Sequence, residues 1–393
     1  MARELQRVFL VVLDGVGIGA LPDAADYGDA GANSLLHCSE KVDGLPLPCL
    51  DRLGLGRIAE RRGSVRDPLP LAHFGVMREA SAGKDTLTGH WELMGLIVSR
   101  PFPTFPQGLP QAILDAFAEK IGREPLGGEA ASGTEIIERL GPEHLETGRP
   151  ILYTSADSVL QIAAHVGRIP LQALYGMGKT ARQIADPYGI ARVIARPFDG
   201  PPGSFQRTAD RKDFALPPPQ PTLLDVLEER RIPVLGIGKI HDIFSGRGIT
   251  ESLPAADNRE GMKRLLEAGE RQAGGLVFIN LNDFDTKHGH RRDARGYAAA
   301  LRAFDETLPL FLRGMREGDL LLVTSDHGCD PTHAGTDHTR EHVPLLAYRK
   351  GGGNGSPLGI RSSFADVAAT VAEAFSVPWE SSGQSFLRFL GRR

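Results

Sequence analysis

The chain has 393 residues, 41% hydrophobic and 24% charged, with a formal net charge of -4. That length suits two domains or one large domain carrying an insertion, and the composition is that of an ordinary globular protein. The slight negative charge excludes a general attraction to nucleic acid or to an anionic membrane, so any anion site must be built locally.

The three cysteines, Cys38, Cys49 and Cys329, form neither a paired disulfide framework nor a zinc-knuckle spacing, which is expected of a reducing cytoplasm. In the amino-terminal MARELQRVFLVVL, the apolar run Val8–Leu13 is too short for a signal-peptide core and is stopped by Asp14. No stretch approaches the ~20 apolar residues needed to cross a bilayer. The expectation is a cytoplasmic protein without membrane association.

Val8–Leu13 is continuously apolar, as expected for a strand buried on both faces of a parallel sheet. It ends in Asp14-Gly15-Val16-Gly17-Ile18-Gly19, whose glycine spacing is not GxGxxG. An Asp leads the turn where phosphate oxygens would have to approach. A metal carboxylate with room made by small residues is favoured over a nucleotide loop. Residues 20–75 read as loop-rich. The stretch GKDTLTGHWELMG, residues 83–95, then places Thr86 and Thr88 near a helix start. There they act either as caps or beside a phosphate held by free backbone N–H groups. Trp91 and Met94 read as core.

From Arg100 the character shifts. PFPTFPQGLP is a proline-rich connector, and Leu114, Phe117, Ala118 and Ile121 follow at helical spacing. Ile151–Thr154 and Arg192–Ala195 read as short strands, and residues 197–221 as a polar, proline-heavy return. Two such connectors suggest an inserted domain over residues 100–221, with 1–99 and 222–393 forming one core. Thr222 is a plausible N-cap for a helix over Leu223–Arg230. Strand candidates at Ile232–Ile237, Leu276–Leu281, Leu320–Val323 and Val343–Tyr348 alternate with helical stretches near Asn258–Gln272, Asp293–Phe311 and Phe364–Phe375. This order predicts an α/β fold with a doubly wound, mostly parallel sheet.

Three of the apolar runs end in acids. Val8–Leu13 delivers Asp14; Leu276–Leu281 delivers Asp283 and Asp285, with His288 and His290 beyond; Leu320–Val323 delivers Asp326 and His327. Ligands of open parallel sheets bind outside the carboxyl ends of the strands. Carboxylates converging there without a counter-charge would repel one another and raise their pKa values. A pair of divalent cations accounts for the acids and histidines together and is a standard arrangement for phosphoryl transfer.

Taken together, GKDTLTGHWE, DFDTKHGHRRD and DHGCDPTHAGTDHTREH resemble the bacterial phosphopentomutases, members of the alkaline phosphatase superfamily, over Asp14 to about Val343. The resemblance implies an alkaline phosphatase-like core with an inserted α+β cap domain, and Thr86 as the threonine that carries the phosphoryl group. It implies one metal held by Asp285, His290 and His338, and another by Asp14, Asp326, His327 and Thr86, with manganese (Mn2+) as the expected ion. Asp157, Arg192, Arg207 and Lys239 match positions that meet the substrate, a pentose phosphate. A sugar bisphosphate is the expected activator. The alternative is a metal-dependent phosphatase of the same superfamily, which differs in whether water reaches the phosphoenzyme. His288 and His333 fall outside the matched pattern, and His342 is a candidate to orient a metal ligand. Cys329 stands where DHGxDPT would carry asparagine, and GANSLLHC is looser than the family's version of that loop. A thiol so placed is expected to make the enzyme sensitive to oxidation.

Overall fold

The computed structural model describes residues 6–155, 158–380 and 382–391. Its strands in chain order are β1 (Arg7–Leu13), β2 (His73–Met77), β3 (Leu126–Ala130), β4 (Ile151–Thr154), β5 (Val159–His165), β6 (Arg192–Asp199), β7 (Gln206–Arg207), β8 (Lys212–Ala215), β9 (Val234–Ile237), β10 (Glu251–Leu253), β11 (Gly275–Leu281), β12 (Leu320–Thr324), β13 (Val343–Arg349) and β14 (Pro357–Arg361). The chain divides into two compact units, Met1–Arg100 with Pro218–Arg393, and Pro101–Pro217.

In the first unit an eight-stranded sheet has the order β10-β9-β11-β1-β12-β13-β2-β14. Only β13 runs against its neighbours; every other adjacent pair is parallel. All seven residues of β1 and of β11 are buried, because helices cover both faces of the sheet. Phe9, Val11 and Leu13 pack with Leu265, Tyr297, Leu301 and Phe304 from the helices Asn258–Arg271 and Ala294–Gly314. On the opposite face Phe278 meets Phe244 and His90, with ring centroids 5.9 and 5.8 Å apart. Burial on both faces is why these strands read as unbroken apolar runs rather than alternating ones.

The segment expected to be loop-rich holds more order than its sequence advertises. Asn33 caps the helix Ser34–Lys41 by accepting from the Leu36 N–H at 3.0 Å, so GANSLLHC is largely helix rather than loop. β2 lies in the same segment and was obscured by its short length and mixed exposure. Thr222 does precede a helix, Leu223–Glu229, with the Asp225 carboxylate accepting from its N–H and its hydroxyl at 2.7 and 3.0 Å. Among the described residues no helix is long and apolar enough to cross a membrane.

The second unit is built on a six-stranded sheet, β3-β4-β5-β6-β7 with β8 also paired to β6. Helices Gln111–Ile121 and Leu171–Ala185 supply Phe117 and Leu174 to the apolar cluster containing Leu160, Ile162 and Val193. Helix Gly133–Thr147 supplies Ile136 and Ile137 to the cluster containing Tyr153, Ala163 and Phe198. The expected polar return contains the end of β6 with β7 and β8, so β6 extends well past Ala195.

Candidate active site

The site starts from strand register. β1 lies between β11 and β12, with Leu13 opposite Leu281 and Val12 opposite Thr324, so the three strands end level. The next residues therefore emerge together at the carboxyl edge of the sheet, and the Asp14 N–H still donates to the Leu281 carbonyl at 3.1 Å. After β11 the chain makes a π-helical turn, Phe284–Gly289, carrying Asp285 and leading into His290. Such turns are uncommon and concentrate at functional sites.

Two linked groups result. His327 Nε2 lies 3.4 Å from Asp14 Oδ1, 3.3 Å from Asp326 Oδ2 and 3.2 Å from Thr86 Oγ1. Asp285 presents Oδ2 at 3.3 Å from His290 Nε2 and Oδ1 at 3.4 Å from His338 Nε2. The His327 and His338 rings stack with centroids 3.9 Å apart, which joins the two groups.

Thr86 is the first residue of the helix Thr86–Leu93 and does not cap it, whereas Thr88 completes a capping box, its hydroxyl accepting from the Asp85 N–H at 3.3 Å. Asp85 caps it, one carboxylate oxygen accepting from the Leu87 and Thr88 N–H groups at 3.0 and 3.1 Å. That leaves the Thr86 hydroxyl, half-buried, to face His327. Gly89, one helical turn on, lets the helix approach the Asp326 backbone, since a Cβ there would overlap the Asp326 carbonyl oxygen. The preceding loop is pinned by Arg340, whose guanidinium donates to the Ser81 carbonyl at 2.8 Å and to Glu79 Oε2 at 2.9 Å.

His90 is the residue that sequence reasoning missed. It is fully buried, four positions after Thr86 and thus on the same helix face. Its Nδ1 lies 2.9 Å from the Thr86 carbonyl oxygen and 3.1 Å from Asp326 Oδ2. The Asn280 amide lies 3.2 Å from His90 Nε2 and donates to Asp14 Oδ2 at 2.8 Å. With Nε2 accepting from the Asn280 amide, Nδ1 is the ring nitrogen that faces the Thr86 carbonyl and Asp326. The only available signal was its spacing from Thr86.

Burial pushes the Asp14 carboxyl up to about 6, and Asp326 and Asp285 add to it; His327 and Lys239 oppose. Burial also acts upward on Asp285, but His338 and His290 outweigh it and hold this carboxyl well below the usual range. Asp326 is likewise lowered, His327 and His90 prevailing over burial. Burial acts to lower His327, yet Asp326, Asp14 and Asp285 raise it overall. Asp14 Oδ1, Asp285 Oδ1 and Asp326 Oδ2 are buried without a hydrogen-bond partner. Histidine nitrogens face them, and buried carboxylate oxygens that accept no hydrogen bond are costly unless a cation faces them. Ligand atoms of Asp14, Asp326 and His327, and of Asp285, His327 and His338, lie within 4.8 Å of one another in each set. Carboxylate and imidazole donors so gathered fit divalent metal ions.

The other sequence candidates divide. Lys239 follows β9 and acts electrostatically on Asp14. Arg192 and Arg207 lie in the second unit, on β6 and β7, and Asp157 lies outside the described residues. In that same unit Gln161 Oε1 accepts from the Tyr153 hydroxyl at 2.9 Å and from Arg196 Nη2 at 3.2 Å, and Arg196 Nε is buried without a partner. Burial lowers the Arg196 pKa, with Arg211 and Arg207 adding to it, so this face of the unit is rich in positive charge. Asp283 does not join the acids: it accepts from the Asn258 N–H at 3.0 Å and pairs with Lys287. His288 pairs with Asp293 at 3.0 Å and His333 Nε2 contacts the Gly28 carbonyl at 3.1 Å. His342 orients none of the clustered groups; Nδ1 lies 3.1 Å from the Ala20 carbonyl oxygen and Nε2 accepts from Arg78 at 3.3 Å. Cys329 is 1% exposed, and burial, with Asp285, pushes its thiol well above the ordinary range. A buried, protonated thiol is a poor target for peroxide, so the expected sensitivity to oxidation is not what this position favours.

A model of the Metalloenzyme superfamily matches residues 231–378. The chain is 54% identical over 387 residues to the phosphopentomutase of Caldanaerobacter subterraneus subsp. tengcongensis, covering 98% of each chain. It is 51% identical to the phosphopentomutase of Dictyoglomus thermophilum, again covering 98% of each, and 53% identical to that of Anaeromyxobacter dehalogenans, covering 98% and 99%.

Proposed function

The chain belongs to the phosphopentomutase family, and on that premise we propose that it interconverts ribose 1-phosphate and ribose 5-phosphate, and their deoxyribose counterparts, through a phosphorylated Thr86. The observation that carries this reading is the Thr86 hydroxyl, 3.2 Å from His327 Nε2, beside buried carboxylates with oxygens that accept no hydrogen bond. Phospho-Thr86 gives its phosphoryl group to the free hydroxyl of the sugar monophosphate, forming a bisphosphate. The bisphosphate reorients and returns its other phosphoryl group to Thr86, leaving the isomeric monophosphate.

Asp14, Asp326, His327 and Thr86 are assigned to one divalent ion and Asp285, His290 and His338 to the other, with manganese as the proposed metal. When bound, the ions supply positive charge that makes the threonine hydroxyl a competent nucleophile and offsets charge on the transferring phosphoryl group. The protein's own contribution is positioning. His90 Nδ1–H holds the Thr86 carbonyl beside Asp326, and Asn280 fixes the Asp14 carboxylate that accepts from it. Lys239, Arg192 and Arg207 are assigned to the phosphate that is not being transferred, Arg through two-pronged oxygen contacts and Lys as a point charge. Asp157 is assigned to a sugar hydroxyl, residues 100–221 act as a cap, a sugar bisphosphate primes Thr86, and the enzyme works in the cytoplasm.

The test is product partition. The metal-loaded protein, primed with a sugar bisphosphate, should convert ribose 1-phosphate into 5-phosphate with little free phosphate, and Thr86→Val should abolish both turnover and the phosphoryl mass increment on the intact chain. Predominant free phosphate would favour the phosphatase reading. Turnover by the valine variant would remove Thr86 from the chemistry.

A further inference from the structure

Cys329 sits in the metal cluster without a role in the mutase reading. Its Sγ, a carboxylate oxygen of Asp285 and a ring nitrogen of His290 all lie within 4.8 Å of one another. Donors around a four-coordinate ion, with bonds of about 2.0–2.3 Å, lie roughly 3.3–3.8 Å apart, a spacing that falls within this limit. The position of the sulfur is built in. A Cβ on Gly289 would overlap Cys329 Sγ, and one on Gly15 would lie 2.9 Å from Cys329 Cβ, so two glycines beside proposed ligands make room for this side chain. The backbone is fixed as well: the Cys329 N–H donates to Ser34 Oγ at 3.1 Å, and that hydroxyl donates to Glu341 Oε1 at 2.6 Å. Independently, Asp285 Oδ1 is buried, 3% of the residue being exposed, and has no hydrogen-bond partner.

We propose that Cys329 is a metal ligand in this chain, joining Asp285 and His290 on one ion and biasing that position toward thiophilic cations such as zinc. The proposal rests on the two-metal reading above. Coordination forms one metal–sulfur bond and releases the thiol proton to solvent. Hard cations, manganese among them, gain little from sulfur and leave the thiol protonated; zinc and cobalt gain more. Asparagine, expected at this place in DHGxDPT, offers no such donor. Cys329 therefore sets which ion the Asp285 position prefers.

Cobalt is the probe, because a thiolate on Co2+ gives a charge-transfer band in the near ultraviolet that oxygen and nitrogen ligands do not. The metal-free full chain, loaded with Co2+, should bind two ions and show this band. Cys329→Ser and Cys329→Asn should each bind two ions without it, and their preference for zinc over manganese should fall by roughly tenfold or more. Two bound cobalt ions without the band in the parent, or the band persisting in either variant, overturns the ligand assignment alone. A parent chain that binds no cobalt overturns the two-metal reading and this proposal together.

Discussion

The buried acids predict that the metal-free protein is made more stable by damaging its own site. Burial, then Asp326 and Asp285, lift the Asp14 carboxyl from 3.8 to about 6. Between those values the folded chain keeps a proton that the unfolded chain has lost, so stability falls as pH rises through that window. Above about 6 the full penalty applies, on the order of 3 kcal/mol. His327, raised overall in the folded state, acts in the same direction: its contribution is present below 6.5 and lost as pH rises through the folded value. Asp285 and Asp326, both lowered, contribute stability that is complete above 3.8 and lost only at more acid pH. The metal-free chain should therefore lose stability from pH 5 to pH 8. Asp14→Asn removes the Asp14 share of that slope while keeping an oxygen to accept from Asn280. Denaturant unfolding in a chelator should find the variant more stable than the parent by about 1–3 kcal/mol at pH 8, narrowing to about half that at pH 5. Saturating divalent metal should reverse the order, because an ion that binds only the folded parent adds ~4 kcal/mol at a thousandfold excess over Kd. A less stable asparagine variant in chelator at pH 8, or a gap independent of pH, would refute the reasoning.

Two further outcomes probe the helix that carries Thr86. His90→Leu removes the Nδ1 contacts to the Thr86 carbonyl and Asp326 and the Nε2 contact to the Asn280 amide, so it should cost about 1–3 kcal/mol and weaken metal binding roughly 10–100-fold; His90→Asn, which keeps a donor near Nδ1, should recover part of the affinity. Calorimetric titration with Mn2+ decides it, and unchanged affinity in the leucine variant counts against a positioning role. Gly89→Ala should cost about 1–3 kcal/mol by pushing the helix off the Asp326 backbone, and should slow phosphorylation of Thr86 by a sugar bisphosphate. Parent-like phosphorylation would show that the close approach is dispensable.

The parts of the fold that could be read directly were those where physics leaves one option. Val8–Leu13, Leu276–Leu281 and Leu320–Val323 are unbroken because both faces of their sheet are covered, and the acids that follow are conspicuous after so much hydrocarbon. The helices Gly133–Thr147 and Leu171–Ala185 escaped because residues that normally interrupt helices lie inside them. Gly141 makes room for the Phe205 ring and Gly178 for the Phe214 ring, and Pro142 blurs the first helix further. Both are held by tertiary packing that a local pattern cannot report. In the site, strand ends alone offered Asp14, Asp326 and His327, and offered Asp285 together with Asp283, between which the resemblance chose. His338, 14 residues beyond the end of β12, required the resemblance. His90 carried only its spacing from Thr86, since its other partners, Asn280 on β11 and Asp326 just beyond β12, are distant in sequence.

That distance has a consequence for the protein's making. The Asn280 to Asp14 hydrogen bond spans 266 positions and the Gly15 to Asp326 bond spans 311. A ribosome must deliver the chain past Thr324 before β11 and β12 can flank β1, and such distant pairings are slow to form. Until then a nascent or prematurely terminated chain carries Thr86 but cannot put it to use. Ion capture thus becomes a late step in biogenesis, open only to chains that extend past His338.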